Sequence, residues 1–247
     1  MRYSKQMSFD AVIPCGPKDE DIIQRCIEGA RANMIGLRYI FVVAQKKLDL
    51  SGAVVFEESV FPFKRDYLLQ KLGSDDHASQ CMQQLVKLYA PLLISSILEN
   101  VVVLDADMIF YKRVKFLEQG RFLMDKVMIQ QTESHFVHMN YLHPTFKAWK
   151  KMTSGSVSHA LFNRKVLIEI MDKVEIKHNK SFWDVYSDRA GGSEYEIYFH
   201  YIMNTYPALV RIRPLRWNNF GQRASPPRGD WDCVTYHWQI QKKPAFL

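Results

Sequence analysis

The run Val101-Val102-Val103-Leu104 passes straight into Asp105-Ala106-Asp107. Four consecutive apolar β-formers read as a strand covered on both faces, and such strands belong to parallel sheets flanked by helices. Side chains alternate along a strand, so Asp105 and Asp107 are expected to face the same way and converge. Two carboxylates at close range repel unless a cation lies between them. Oxygen donors suit Mg²⁺ or Mn²⁺. In open α/β sheets ligands sit beyond the carboxyl ends of the strands, where this pair falls. Asp-x-Asp is also a common solvated turn. The apolar strand and the amphipathic helix before it favour the metal reading.

The rest of the chain supports that class. Phe9–Ile13 reads as a buried strand that breaks at Pro14-Cys15-Gly16-Pro17. A helix follows from the acidic turn at residues 18–21, with Ile22, Ile23, Cys26, Ile27 and Ala30 at helical spacing. Leu37–Ala44 and Ala53–Phe56 read as further strands. Asp66–Leu72 and Ser79–Ile97 read as helices, the second kinked at Pro91. Farther on, Val127–Ile129 is a strand candidate. The segment from Thr153 reads as a strand entering a helix over Arg164–Val174, with Asn163 as its cap. Ser193–Tyr206 is a helix, Leu209–Ile212 and Cys233–Tyr236 are short strands, and Arg213–Asp232 is mostly loop. The expected fold is α/β, a mixed, mostly parallel central sheet flanked by helices, in one domain over 1–247.

Composition sets the outer limits. A chain of 247 residues can bury a substantial core without disulfides. Cys15, Cys26, Cys81 and Cys233 form no CxxC pair and are expected as free thiols. The net charge of +7 favours anionic partners. Its basic residues form no block, so no nucleic-acid partner is expected. The longest apolar stretch, Leu85–Leu98, holds Lys87 and Pro91 and falls short of the ~18–20 residues of a membrane span. Met1–Ser8 lacks the apolar core of a signal peptide, so a cytoplasmic location is expected.

Lys87-Leu88-Tyr89, then Val102-Val103-Leu104-Asp105-Ala106-Asp107-Met108, resemble the GT-A glycosyltransferases, especially the glycogenin-like family 8. That family has a basic residue in the helix before its DxD strand. Its C-terminal motif has His, then Gly three residues on, Lys six on and Pro seven on. Here His237, Lys243 and Pro244 stand at those spacings, and Ile240 replaces the glycine. The resemblance implies a GT-A fold, with a nucleotide-binding half over about 1–112 and an acceptor half with a metal and phosphate tail over about 113–247. It implies Asp105, Asp107 and His237 as ligands of Mn²⁺ or Mg²⁺. Lys243 would meet the diphosphate, Lys87 and Ala106 the nucleotide-sugar, and Pro14, Cys15 and Gly16 the base and ribose. His159 would bind sugar hydroxyls. The partners implied are a nucleoside-diphosphate-sugar, with UDP the expected nucleotide, and a carbohydrate acceptor.

The second informative segment is Ala190-Gly191-Gly192-Ser193-Glu194-Tyr195-Glu196. The glycines permit close backbone approach to a ligand. Ser193 and Glu196 form a capping-box pattern that starts a helix and gives Glu196 a backbone task. Glu194 lacks that task and faces the helix N-terminus. An inverting transferase needs a carboxylate base within reach of the acceptor hydroxyl. Family 8, which retains stereochemistry, commonly has Asp-Gln near this place. Inversion with Glu194 as base, or Glu196 in second place, is therefore the leading expectation, and retention the alternative.

His135, His138 and His143 fit no zinc spacing and read as an acceptor-side loop or solvated surface. Trp183, Trp217, Trp231 and Trp238 read mainly as core, with one or two available to stack on sugars. A phosphotransferase of the haloacid dehalogenase type places its Asp-x-Asp near the N-terminus with Thr or Val two residues beyond, where this chain has Ile109. The non-enzymatic rival is a carbohydrate-binding or basic nucleic-acid-binding module.

Overall fold

A computed structural model describes residues 8–128, 132–221 and 229–236. The first strand, β1 (Phe9–Cys15), is buried along its whole length. Helix α1 (Ile23–Asn33) then turns Ile23, Cys26, Ile27 and Ala30 inward at helical spacing. A two-residue strand β2 (Met34–Ile35) precedes β3 (Leu37–Ala44) and β4 (Val54–Glu57). Helix α2 (Arg65–Leu72) stops at Gly73, whose φ of 67° is the left-handed cap that glycine adopts without strain. Helix α3 (Asp75–Leu93) starts at the N-cap Ser74, with Asp75 and Asp76 in its first turn. It begins a turn earlier than the apolar pattern predicts, because the cap decides the start. It ends at Leu93 rather than Ile97, with Pro91 inside its last turn.

Beyond it lie β5 (Asn100–Leu104), β6 (Met108–Phe110), β7 (Val114–Lys115), β8 (Leu117–Glu118) and β9 (Arg121–Met124). Helix α4 (Glu133–Leu142) is followed by β10 (His159–Asn163) and α5 (Arg164–His178). Asn163 caps α5 by accepting the Lys165 amide at 3.0 Å, as its position at a strand–helix joint implies. Then come α6 (Phe182–Tyr186), α7 (Glu194–Thr205), β11 (Val210–Ile212), β12 (Trp217–Asn219) and β13 (Cys233–Thr235).

The central sheet runs β10-β5-β1-β3-β4, and only β10 is antiparallel to its neighbour. The chain leaves β1 toward β3 and β4, then returns to lay β5 on the other side of β1. The order therefore reverses between β1 and β5, which is where ligands bind in such sheets. Helix α3 packs on β1 and α7. The main cluster of buried side chains draws on residues from Phe9 to Cys233. Behind the sheet, the buried Asp10 carboxylate takes both Arg38 nitrogens and the amides of Tyr39 and Leu98.

Several expectations change. Residues 135–143 lie mainly on α4, so this segment is not a loop; His138 is buried there, while His135 and His143 are half-buried. Val127 makes only an isolated bridge to Ser154, and Ile129 lies outside the described residues. The stretch expected as loop after Arg213 contains β12, which pairs in parallel with β13, itself antiparallel to β6. No helix among the described residues is long and apolar enough to cross a membrane. All four cysteines are free and buried. Burial pushes the Cys15 and Cys81 thiols up to about 12.

Candidate functional site

The reversal between β1 and β5 opens into a cleft of about 1010 Å³. Of the residues singled out from the sequence, Pro14, Gly16, Lys87, Asp105, Ala106, Asp107 and Glu194 line it. They come from the end of β1, the inner face of α3, the turn after β5 and the start of α7. Asp105 and Asp107 do not continue the strand. The Met108 amide bonds the Asp105 carbonyl at 3.1 Å, closing a tight turn. The two carboxylates reach the cleft through that turn rather than through strand alternation.

Lys87 organises the cleft's inner end. Its side chain is only 5% exposed, and its ammonium hydrogen-bonds Asp105 and meets Glu194 at 2.6 Å. Burial alone pushes a lysine pKa down, but the two carboxylates outweigh it and hold Lys87 charged. In return Lys87 outweighs the burial of Asp105 and holds its carboxyl below the usual range. The Tyr195 hydroxyl donates to the same Asp105 oxygen at 3.1 Å, and Lys87 stands 4.4 Å over the Tyr195 ring. The Asp105 amide donates to the Ser158 carbonyl at 2.9 Å. Asp105 is thus braced from α3, α7 and the segment at Ser158 while its side chain stays 30% exposed.

Asp107 brings a second carboxylate to the same wall. Its carbonyl accepts the Tyr236 amide at 3.1 Å, extending the β6–β13 ladder by one bond. The described chain therefore ends against Asp107, one residue before His237 in the sequence. His237 and Lys243 themselves lie outside the described residues. Among the described residues, no group of three His, Cys, Asp or Glu side chains is placed to hold a metal ion. The donor set still suits a divalent cation, because two carboxylates share one cleft wall and Lys87 neutralises only part of the local charge.

Three expected residues are not brought to the cleft. Cys15 ends β1 with its side chain in the core. His159 is buried, with Nε2 2.8 Å from Asp125 and Nδ1 2.8 Å from the Val157 carbonyl. Arg213 completes that cluster with a second grip on Asp125 at 2.6 Å. Glu196 turns away from the cap it was expected to close. Only the Ser193 hydroxyl performs the capping, accepting the Glu196 amide at 3.3 Å. The Glu196 carboxylate instead accepts from the Ser154 hydroxyl and from the Gly155 amide at 3.3 Å, and lies 3.0 Å from His200 Nε2. Burial raises its pKa, but His200 and Ser154 outweigh that and lower it. The turn it anchors carries Ser156 and Ser158 into the cleft.

The two glycines also serve the protein rather than a ligand. A Cβ on Gly192 would meet the Tyr186 hydroxyl end at 2.7 Å, and Gly191 has φ 92°. Gln84 donates to the Gly192 carbonyl at 2.8 Å and accepts from Tyr186 at 2.8 Å. Sequence reasoning missed Tyr195, Ser156, Ser158 and Asn219, all of which line the cleft, and Trp217, read there among tryptophans that are mainly core, lines it too. It also missed Gln80, Gln83 and Gln84, which with Lys87 form a polar stripe at helical spacing on α3. That stripe was a readable signal.

No family model matches the sequence, and no curated protein matches it. Among solved structures, the chain is similar to mouse xyloside xylosyltransferase 1 in its apo form. The TM-score is 0.48 at 10% identity, over 95% of this chain and 99% of that one. A likeness at that level assigns no residue, and the site rests on its own geometry.

Proposed function

We propose that this chain is a GT-A-type glycosyltransferase that moves a sugar from a nucleoside-diphosphate-sugar, UDP-linked by preference, to a hydroxyl of a carbohydrate acceptor. The observation that carries this reading is the convergence of Asp105, Asp107, Lys87 and Glu194 with the Pro14–Gly16 loop on one cleft, where the parallel sheet reverses its order. Asp105 and Asp107 would hold Mn²⁺ or Mg²⁺, with His237 as a third ligand. The bound ion would act as a Lewis acid on the departing diphosphate. Lys87 keeps Asp105 ionised and aimed at the cleft, and Lys243 adds positive charge from the tail. The loop at Pro14 and Gly16 borders the base and ribose. Glu194, at the first position of α7, is the base that accepts the acceptor's proton.

A second reading, with retained stereochemistry, is favoured by one observation. The Glu194 side chain is only 3% exposed and already meets Lys87. In that case Glu194 holds Lys87 in place and takes no proton.

Purified protein with Mn²⁺ and a panel of UDP-, GDP- and TDP-sugars tests the proposal. Metal-dependent donor hydrolysis or transfer is expected, and its loss in the Asp105→Asn/Asp107→Asn double variant. The proposal fails if no donor is bound or hydrolysed and the double variant binds Mn²⁺ as the parent does. The anomer of the product, read by NMR, separates the two mechanisms. An inverted anomer with a loss of about 100-fold or more in kcat for Glu194→Gln fits a general base, whereas a retained anomer removes that role.

A further inference from the structure

Strand β12 lies in a stretch expected from the sequence to be mostly loop. It is held by β13, which is held in turn by β6, the strand that starts directly after Asp107. Along β12, Trp217 and Asn219 line the cleft and Asn218 does not, as strand alternation requires. The Trp217 indole N–H donates to Thr235 Oγ1 at 2.9 Å. That bond fixes the ring and satisfies its one polar atom, so what Trp217 offers the cleft is aromatic carbon surface. Among the described residues, no other ring or cation is stacked on Trp217. The Asn219 side-chain amide is exposed and hydrogen-bonds to none of them. Asn219 therefore presents donors and an acceptor beside a rigid aromatic surface.

We propose that Trp217 and Asn219 form a platform for a pyranose ring. A pyranose has an apolar C–H face and a rim of hydroxyls, and this pair supplies the complement of each. Aromatic surface with a few placed polar groups is the usual make-up of a small-molecule pocket. Strand β12 is tied through β13 to β6, the strand that leaves the Asp105–Asp107 turn, so the platform lines the same cleft as the two aspartates. On the glycosyltransferase reading, a sugar whose diphosphate is held at those aspartates comes within reach of β12. That placement rests on the glycosyltransferase reading. The platform chemistry does not.

Calorimetric titration of the intact protein with methyl glycosides of glucose, galactose, xylose and N-acetylglucosamine, and separately with UDP and UDP-glucose in Mn²⁺, tests this. Trp217→Ala is expected to weaken at least one sugar ligand about tenfold or more while leaving UDP within about twofold. Trp217→Phe should fall between parent and Ala. Asn219→Ala, at an exposed position with no side-chain bond to lose, should weaken the same ligand and guards against misfolding of the Trp217 variants. Loss confined to the free glycosides identifies an acceptor sugar, and loss confined to UDP-glucose identifies the donor's sugar. The platform is overturned if every variant binds sugars like the parent, if UDP weakens in parallel, or if no sugar ligand binds the parent. UDP-glucose and every glycoside bound equally by parent and variants would sink the platform alone. Failure of both UDP and UDP-glucose to bind the parent would sink the glycosyltransferase reading instead.

Discussion

Lys87 is the residue on which the inner end of the cleft depends. It is a buried cation shared by two carboxylates from distant parts of the chain. Such a pair contributes little against an apolar replacement, yet removing one partner leaves buried charge uncompensated, at a cost of about 3–5 kcal/mol. Lys87→Met leaves Asp105 and Glu194 without their common counter-ion and should lower stability by roughly that amount. Lys87→Arg keeps the charge and should lose less. Urea unfolding of both variants checks this, and equal stability of Lys87→Met and the parent would contradict it. The residues of this centre were legible to different degrees. Asp105 and Asp107 follow an unbroken apolar strand, and Glu194 follows a helix cap, so local pattern exposes them. Glu196 carries a capping-box signature with Ser193, which points to the wrong partner. Its partner Ser154 lies 42 positions upstream, and no local pattern carries that pairing.

Helix α4 shows how an element can hide in a sequence. Its two histidines and its apolar residues follow no single face, so periodicity gives no signal. Docking decides instead. His138 Nε2 donates to the Tyr186 carbonyl at 2.9 Å, and His135 Nδ1 meets the Gly191 carbonyl at 2.8 Å. His138 Nδ1 is buried without a hydrogen-bond partner. Burial, with smaller contributions from His135 and Arg189, pushes the His138 pKa below its ordinary 6.5. The unfolded chain therefore binds this proton more readily than the folded one. The contribution of His138 to stability is whole above that ordinary value and declines as pH falls through it toward the folded pKa. Melting temperature is expected to drop between about pH 7 and pH 5.5, and His138→Phe to flatten that slope. An unchanged slope would remove His138 as a source. Helices α1, α3 and α5 were legible because a cap or an apolar stripe marks each of them. The start of α3 was missed because Ser74, not the first apolar residue, sets it.

Over the whole molecule, charge is distributed against expectation. The chain carries +7, a surplus that favours anionic partners. The described lining of the cleft holds Asp19, Glu58, Asp76, Asp105, Asp107 and Glu194 against Lys18, Arg65 and Lys87. The basic surplus therefore lies elsewhere among the residues, and an anionic ligand meets an acidic wall. Like charges a few ångströms apart repel by about 1 kcal/mol or more even in water. UDP should thus bind weakly in EDTA and at least about tenfold more tightly in Mn²⁺, a difference of ~1.4 kcal/mol. Calorimetry measures both, and equal affinities would deny a cation its part. The mostly parallel central sheet was readable from the alternation of strands and helices, though its strand order was not. The β6–β13–β12 ladder was not, because three-residue strands are too short to show a period.

The hydrogen bond from Tyr236 to the Asp107 carbonyl has a consequence for biosynthesis. Nascent chains acquire structure from the N-terminal side as they leave the ribosome. Strands β1, β3, β4 and β5 can pair long before residues 233–236 are translated. The backbone around Asp107 then waits for that late strand. A ribosome stalled short of residue 233 would display a folded sheet with the backbone at Asp107 not yet braced, so any ion binding of the kind proposed should mature after the fold does.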